Sequence, residues 1–237
     1  WKLRFHAQTA GCSLTAQQPE NNISRTAFQA IAAVFGGAQS LHTNSMDETL
    51  ALPSEKAAEI ALRTQQLIAY ETGMANVADP LGGSWLIESL TDQLEQEAEE
   101  YFEEIERLGG VIQGIEKGYF QREIARSARS YQKLVDEKNL FIIGVNQFDK
   151  DDENIDIPIL EIGPETEQIQ VKAVNELKDS RDETAVQHAL YKIQETCANG
   201  GNIMPPIIEA SKVYVTLGEI VTAMKAEFGE WQEAAVF

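Results

Sequence analysis

The sequence predicts an α/β fold, built from three strand-then-helix units and completed by a mainly helical C-terminal region. Three observations carry that expectation. Strands begin near Leu3, Gln39 and Asn76, a spacing of 36 and then 37 residues, which is the pitch of a repeated βα unit. Each start is followed by a run with apolar residues at helical spacing. Beyond residue 138 strand signals become rare and amphipathic helices dominate.

The first strand, Lys2–Gln8, alternates: Leu3, Phe5 and Ala7 point one way and Arg4, His6 and Gln8 the other. In a parallel barrel the apolar side packs on helices and the polar side faces the interior near the catalytic mouth. The first helix runs over Ile23–Phe35, with Ile23, Ala27, Ile31 and Val34 as its buried stripe, and Gly36-Gly37 ends it. The second strand is Gln39–Thr43. Its helix starts after Pro53 with Ser54 as N-cap, and buries Ala57, Ile60, Ala61, Thr64, Leu67 and Ile68. The third strand is short, Asn76–Ala78, stopped by Asp79-Pro80. The glycine loop Leu81–Ser84 then leads into a long helix, Trp85–Leu108, ended by Gly109-Gly110.

Further helices are expected over Val111–Lys117 and Gln121–Glu137, and Leu140–Phe148 reads as a β-rich run around Gly144-Val145-Asn146. Asp149–Pro164 is an acidic, proline-containing linker. Three helices follow, Glu165–Asp179, Glu183–Cys197 and Ile203–Phe228, the last broken or capped near Pro205-Pro206 and Gly218. The expected domains are therefore 1–138, the end of a barrel, and 139–237, a linker strand and helical region. Three βα units cannot close an eight-stranded barrel, and an open remnant would expose a strand edge. The chain is expected to complete a barrel whose other strands lie elsewhere, and the opening Trp1-Lys2-Leu3-Arg4, without an initiator Met, to continue upstream.

Composition narrows the partners. The formal charge is −19, which argues against nucleic acid or an anionic membrane, since phosphate contacts need a basic patch. The acid gathers in Asp92–Glu106 and Asp149–Glu153, runs that read as solvated surface. Coenzyme A, itself anionic, would need a local site or one supplied upstream. No stretch is long and apolar enough to cross a membrane. Cys12 and Cys197 form neither a disulfide framework nor a metal-ligand spacing, which fits a reducing cytoplasm. No nucleophile–base pair stands out either, so a hydrolase has little support.

Several runs carry a family resemblance. Arg4-Phe5-His6-Ala7-Gln8-Thr9-Ala10-Gly11 with Ser13-Leu14-Thr15 is similar to a signature of the methylmalonyl-CoA mutase family, as is Asn21-Asn22-Ile23-Ser24-Arg25-Thr26. The strongest is Gln39-Ser40-Leu41-His42-Thr43-Asn44-Ser45, continued by Asp47-Glu48. Asp79-Pro80-Leu81-Gly82-Gly83-Ser84, Ile143-Gly144-Val145-Asn146 and Thr216-Leu217-Gly218-Glu219-Ile220 follow in order. The resemblance implies the last βα units of a TIM (β/α)8 barrel, capped by adenosylcobalamin, in an enzyme that isomerises an acyl-CoA carbon skeleton by radical chemistry. In such enzymes the cofactor supplies the chemistry and the protein supplies position and seclusion.

Carried onto this sequence, the resemblance makes His6 and Gln8 groups close to substrate and corrin. Gly11 becomes a close-approach position under the corrin. Asn44 and Glu48 become the pair that holds the adenosyl ribose, and Gln39 a further polar lining residue. Thr49 falls among the cofactor contacts where relatives often carry alanine; Cys12 stands in place of a tryptophan and Glu20 in place of a tyrosine. These departures suggest a branch with a separate cobalamin-binding subunit. The pattern Asp-x-His-x-x-Gly, which in the family supplies the lower cobalt ligand, does not occur. Cobalt is therefore expected on another domain or chain, the partners being an acyl-CoA, the upstream barrel half and a cobalamin domain or subunit in a homodimer or heterodimer. On its own this stretch is expected to be inactive. The substrate stays open among methylmalonyl-, isobutyryl-, hydroxyisobutyryl- and ethylmalonyl-CoA, and a non-catalytic assembly module, with Val111–Phe237 making subunit contacts, is the alternative.

The bland readings are concrete. His42 could be a hydrogen-bonded structural imidazole. His188 reads as surface, and Gly82-Gly83 as either a simple turn or a ligand-side loop. Tyr101, Tyr119 and Tyr131 read as packing, and Asn146 as a side chain satisfying a backbone turn.

Overall fold

The computed structural model describes residues 3–150 and 157–233. By compactness the chain parts between Glu161 and Ile162 into two units. The expected division at 138/139 concerns where a barrel ends, a separate matter from compactness.

In the first unit, β1 (His6–Gln8) and β2 (Ser40–His42) pair in parallel, with His6 opposite Ser40 and Gln8 opposite His42. Both are shorter than expected, and Lys2, at the expected start of β1, lies outside the described residues. Register partners in a parallel pair share a face, so His6, Gln8, Ser40 and His42 stand on one side and the half-buried Ala7 and Leu41 on the other. The predicted alternation is seen over His6–Gln8 alone; Leu3 and Phe5, expected on the packed apolar side, precede the strand and are exposed. A parallel pair needs a crossover, which here is α1 (Asn21–Phe35). Its buried stripe is Asn22, Thr26 and Ala30, one position ahead of the expected Ile23, Ala27 and Ile31, which are half-buried. The reason is polar: Asn22 and Thr26 hydrogen-bond to loop carbonyls, so the innermost face carries small polar groups.

Helix α2 (Glu55–Tyr70) begins as predicted, the Ser54 hydroxyl accepting the Ala57 N–H. Ala57, Ala61, Thr64 and Ile68 are buried, whereas Leu67 is largely exposed. The third strand does not form. Met74–Asn76 is a short 3-10 turn, because Asp79-Pro80 leaves too few residues for a ladder and no neighbouring strand is at hand among the described residues. Asp79–Ser84 is a turn, and the long helix α3 (Trp85–Leu108) follows with its C-cap at Gly109, φ +101°. Two more helices, α4 (Val111–Glu116) and α5 (Tyr119–Asp136), complete the helical run.

Leu140–Phe148 is a looped turn with one isolated bridge, Ile143 to Gln147, not a strand. Asn146 is the cause. Its amide donates to the carbonyls of Val135 (2.9 Å) and Leu140 (2.8 Å) and accepts the Ile142 N–H (2.7 Å), offering the backbone an alternative to a ladder. Part of the acidic linker, residues 151–156, lies outside the described residues.

The second unit is helical: α6 (Pro164–Ser180), α7 (Glu183–Ala198), α8 (Met204–Lys212) and α9 (Leu217–Phe228). Its core joins Val186, Ala189, Ile193 and Cys197 of α7 to Ala210, Val215, Ile220 and Ala223. Val186 and Ile193 are fully buried, each contributing about 1.5–3 kcal/mol by removal from water. The stretch Ile203–Phe228, expected to be broken or capped near Pro205-Pro206 and Gly218, is two helices. Pro205-Pro206 sit at the start of α8, where proline is tolerated, and the break comes at Val213–Thr216, where Tyr214 has φ +62°. Thr216 and Glu219 form a capping box on α9. Glu219 also grips the nearly buried Arg181, Nη1 to Oε2 at 2.8 Å and Nη2 to Oε1 at 2.7 Å. Those hydrogen bonds hold the Glu219 carboxyl well below the usual carboxylate range and, against the opposing effect of burial, the guanidinium firmly charged.

Candidate functional site

Gln8, Asn44 and Glu48, three of the polar groups singled out from sequence, lie at the C-terminal ends of β1 and β2, where parallel α/β sheets place their ligands. Gln8, the last residue of β1, donates through Nε2 to Asn44 Oδ1 at 3.1 Å. Asn44 in turn donates through Nδ2 to Glu48 Oε1 at 3.2 Å. The three side chains form one hydrogen-bonded row. Asn44 is buried and anchored through its backbone: its N–H donates to Thr9 Oγ1 at 2.9 Å, while its carbonyl accepts from Thr26 Oγ1 at 3.5 Å. Gln8 and Glu48 are exposed at either end.

Gly11 stands against that row. A Cβ there would lie 2.9 Å from both Asn44 Nδ2 and Glu48 Oε1. The absence of a side chain is thus a condition for the Asn44–Glu48 contact itself, in addition to any ligand above it. On the same sheet face, His6 Nδ1 shares a 2.7 Å hydrogen bond with Ser40 Oγ, which orients the ring. His42 is exposed beside Gln8.

Two predicted residues are placed elsewhere. Gln39 accepts the Phe5 N–H at 2.8 Å and donates to the Gly37 carbonyl at 2.7 Å. It clips the entry ends of the strands together and is not brought to the Asn44–Glu48 row. Thr49, exposed, lines a 570 Å³ hollow together with Cys12, Arg25, Tyr131 and Ile143. The Gly82-Gly83 loop is a turn that caps α3, with the Gly83 N–H donating to Glu88 Oε1 at 2.7 Å and Asp79 folded over Gly82. His188 is exposed on α7.

Sequence reasoning missed Thr9 and Ser40, which orient Asn44 and His6, and Gln29, whose side chain accepts the Ala10 N–H at 2.6 Å and donates to Ser13 Oγ at 2.7 Å. The parallel register could have found Ser40, since it pairs with His6 once the strands are aligned. Nothing in the local pattern marks Gln29.

Chemically, the row offers hydrogen-bond acceptors on an exposed edge: Glu48 Oε2 and Gln8 Oε1 have no partner among the described residues. An ionised carboxylate accepts only, so it suits a ligand that donates hydroxyls. Among the described residues no group of three or more His, Cys, Asp or Glu could hold a metal ion, and no helix is long and apolar enough to cross a membrane.

Comparison with known proteins fits this picture. The family model for methylmalonyl-CoA mutase matches residues 1–230. The chain is 42% identical over 237 residues to the 2-hydroxyisobutanoyl-CoA mutase large subunit of Aquincola tertiaricarbonis, covering 100% of this chain and 42% of that protein. It is 42% identical over 231 residues to methylmalonyl-CoA mutase of Rhizobium meliloti, covering 97% of this chain and 32% of that one. The mitochondrial methylmalonyl-CoA mutase of Homo sapiens is 42% identical over 230 residues, 96% of this chain and 30% of that protein. The chain thus spans well under half the length of these curated relatives.

Proposed function

From the membership of this chain in the methylmalonyl-CoA mutase family, we propose that it contributes the final βα units of a TIM barrel in an adenosylcobalamin-dependent acyl-CoA mutase. The carrying observation is the Gln8–Asn44–Glu48 row at the ends of two parallel strands, with Gly11 beneath it. The donor set fits the cofactor: exposed acceptors for the hydroxyls of a ribose, and a glycine where a side chain would displace them. When bound, adenosylcobalamin supplies homolysis of its cobalt–carbon bond and, through it, reversible hydrogen abstraction from the acyl chain.

The residues of this chain bind and orient. Glu48 accepts from ribose hydroxyls through the oxygen that Asn44 leaves open, and Asn44 fixes the rotamer of Glu48. Gln8 and His6 line the mouth beside the acyl group, the His6 ring held at Nδ1 by Ser40 so that Nε2 is available to a polar atom of the acyl-CoA. None of these groups needs to move a proton. Their contribution is to position reactants and keep water out. Cobalt ligation and most coenzyme A contacts fall to other domains or subunits, and this stretch alone is inactive. A relative named as a large subunit supports a separate cobalamin partner.

The test uses the full-length protein that carries this chain, mixed with its cobalamin-binding partner and adenosylcobalamin. Isomerisation of the carbon skeleton of a branched acyl-CoA is expected. A complete protein that neither retains adenosylcobalamin nor isomerises any of methylmalonyl-, isobutyryl-, hydroxyisobutyryl- or ethylmalonyl-CoA refutes the reading.

A further inference from the structure

Asn22, in the first turn of α1, is fully buried. Its Oδ1 accepts from Thr15 N (3.1 Å) and Arg25 Nη1 (2.8 Å), and its Nδ2 donates to Thr15 O (2.8 Å) and Met46 O (2.9 Å). Two donors and two lone pairs are thereby all used. Capping of α1 does not require this arrangement. What it joins is two loops far apart in sequence: Thr15 ends the segment that carries Gly11, and Met46 lies inside the turn between Asn44 and Glu48.

The backbone of that turn holds its exit, where the Asp47 carbonyl accepts from Leu50 N (2.8 Å) and Ala51 N (3.1 Å), better than its Asn44–Glu48 stretch. The Glu48 N–H to Ser45 O bond is long, at 3.3 Å. On its far side Asp47, fully buried, accepts the Ser54 N–H at 2.9 Å. On the near side Thr9 and Thr26 hold the Asn44 backbone, and Asn22 holds the Met46 carbonyl inside the turn. Arg25 extends the tie: Nη1 also reaches Thr15 Oγ1 at 2.8 Å and Nη2 reaches Ile143 O at 2.7 Å, bringing in the loop that Asn146 shapes.

We propose that Asn22 is a positioning residue, with Arg25 as its support, that fixes the Glu48-bearing turn against the Gly11–Thr15 loop and so sets where the Asn44–Glu48 pair meets its ligand. The ligand half of this statement rests on the adenosylcobalamin reading above. The positioning half does not.

Asn22→Asp tests it. The change is isosteric and keeps the acceptors for Thr15 N and Arg25, but turns both donors into lone pairs facing carbonyl oxygens. Without any cofactor, backbone amides of 46–50 should exchange hydrogen about 10-fold faster or more, while those of α2 stay as they were. In the full-length enzyme the apparent KM for adenosylcobalamin should rise about 10-fold and that for acyl-CoA by less than about 2-fold. In a Glu48→Ala background the same change should add nothing to the cofactor KM, because both act through one turn. Ile68→Ala, which opens a cavity under α2, should lower stability without splitting the two KM values. Arg25→Gln, at a half-buried position, is the second variant should Asn22→Asp not fold, with a shift of about 3-fold in the same direction. Exchange that rises uniformly or not at all, or effects that add to those of Glu48→Ala, would overturn the proposal. If the wild-type full-length protein ignores adenosylcobalamin, the proposed function fails, and the exchange measurement still decides the role of Asn22.

Discussion

Replacing Glu219 by glutamine probes how the helical unit is held. The Arg181 side chain is 4% exposed and that of Glu219 24%, and two short bonds join them. Arg181 also donates to the Tyr214 carbonyl at 3.0 Å and to Glu183, 58% exposed, at 3.2 Å. Its Nε is buried with no partner among the described residues. Removing the charge that compensates a buried cation costs about 3–5 kcal/mol. The exposed Glu183 offsets little, and the new amide returns about 1 kcal/mol as a neutral acceptor. A net loss of about 2–4 kcal/mol remains, equivalent to a drop of roughly 10–25 °C in Tm for a unit of this size. Glutamine still supports the capping box with Thr216, so Glu219→Ala should lose about 1 kcal/mol more. The sign with pH is fixed by the direction of the shift. The folded carboxyl lies below its ordinary value of 4.5, so its contribution is whole above that pH and is lost as pH falls through the folded value. Calorimetry of the whole chain, with hydrogen exchange in α7 and α9 to assign the transition, should show a gap between wild type and Glu219→Gln that is flat near neutrality and narrows in acid. A gap below about 1 kcal/mol, or one that persists unchanged in acid, would refute the reasoning.

Other substitutions separate site from scaffold. Gly11→Ala should break the Asn44–Glu48 contact and raise the adenosylcobalamin KM of the full-length enzyme by about 10-fold, with a change in stability below about 1 kcal/mol, since the displaced atoms are the far ends of side chains. Asn146→Ala removes three hydrogen bonds to backbone groups and should cost about 2–3 kcal/mol, read as faster exchange over 140–147 and a lower melting temperature. Ser54→Ala removes the α2 N-cap and should cost about 1 kcal/mol without altering the ratio of the two KM values.

The helices were the most legible elements. Trp85–Leu108 is bounded in the sequence by a glycine loop and a glycine pair, and the structure has it over those residues. The Ser54 cap was equally plain. Strands were harder, because a strand is defined by its neighbour. Asn76–Ala78 had a plausible composition but nothing to pair with among the described residues, and Leu140–Phe148 yielded to the hydrogen bonds of Asn146. The break inside Ile203–Phe228 falls just ahead of Gly218, as its glycine suggests, and not at the prolines; the residue that makes it, Tyr214 at positive φ, is one that no local pattern betrays. At the site, period-two geometry put His6 and Gln8 on one face, and the row Gln8–Asn44–Glu48 follows once β1 and β2 align. Gln39 sits in the same motif as Asn44, but its side chain turns to the entry ends of the strands, which a motif read as a string does not reveal. Asn22 lay in a quoted motif as well. Its role depends on two loops meeting in space and was not visible along the chain.

The account stands or falls on whether Glu48 reads a ribose. The direct measurement compares binding of adenosylcobalamin and hydroxocobalamin, which lacks the adenosyl group, to the full-length protein with its cobalamin partner, before and after Glu48→Ala. Weakening of about 10-fold or more for the adenosyl form alone, with folding intact, is the predicted result. Equal effects on both forms, or none on either, would contradict it.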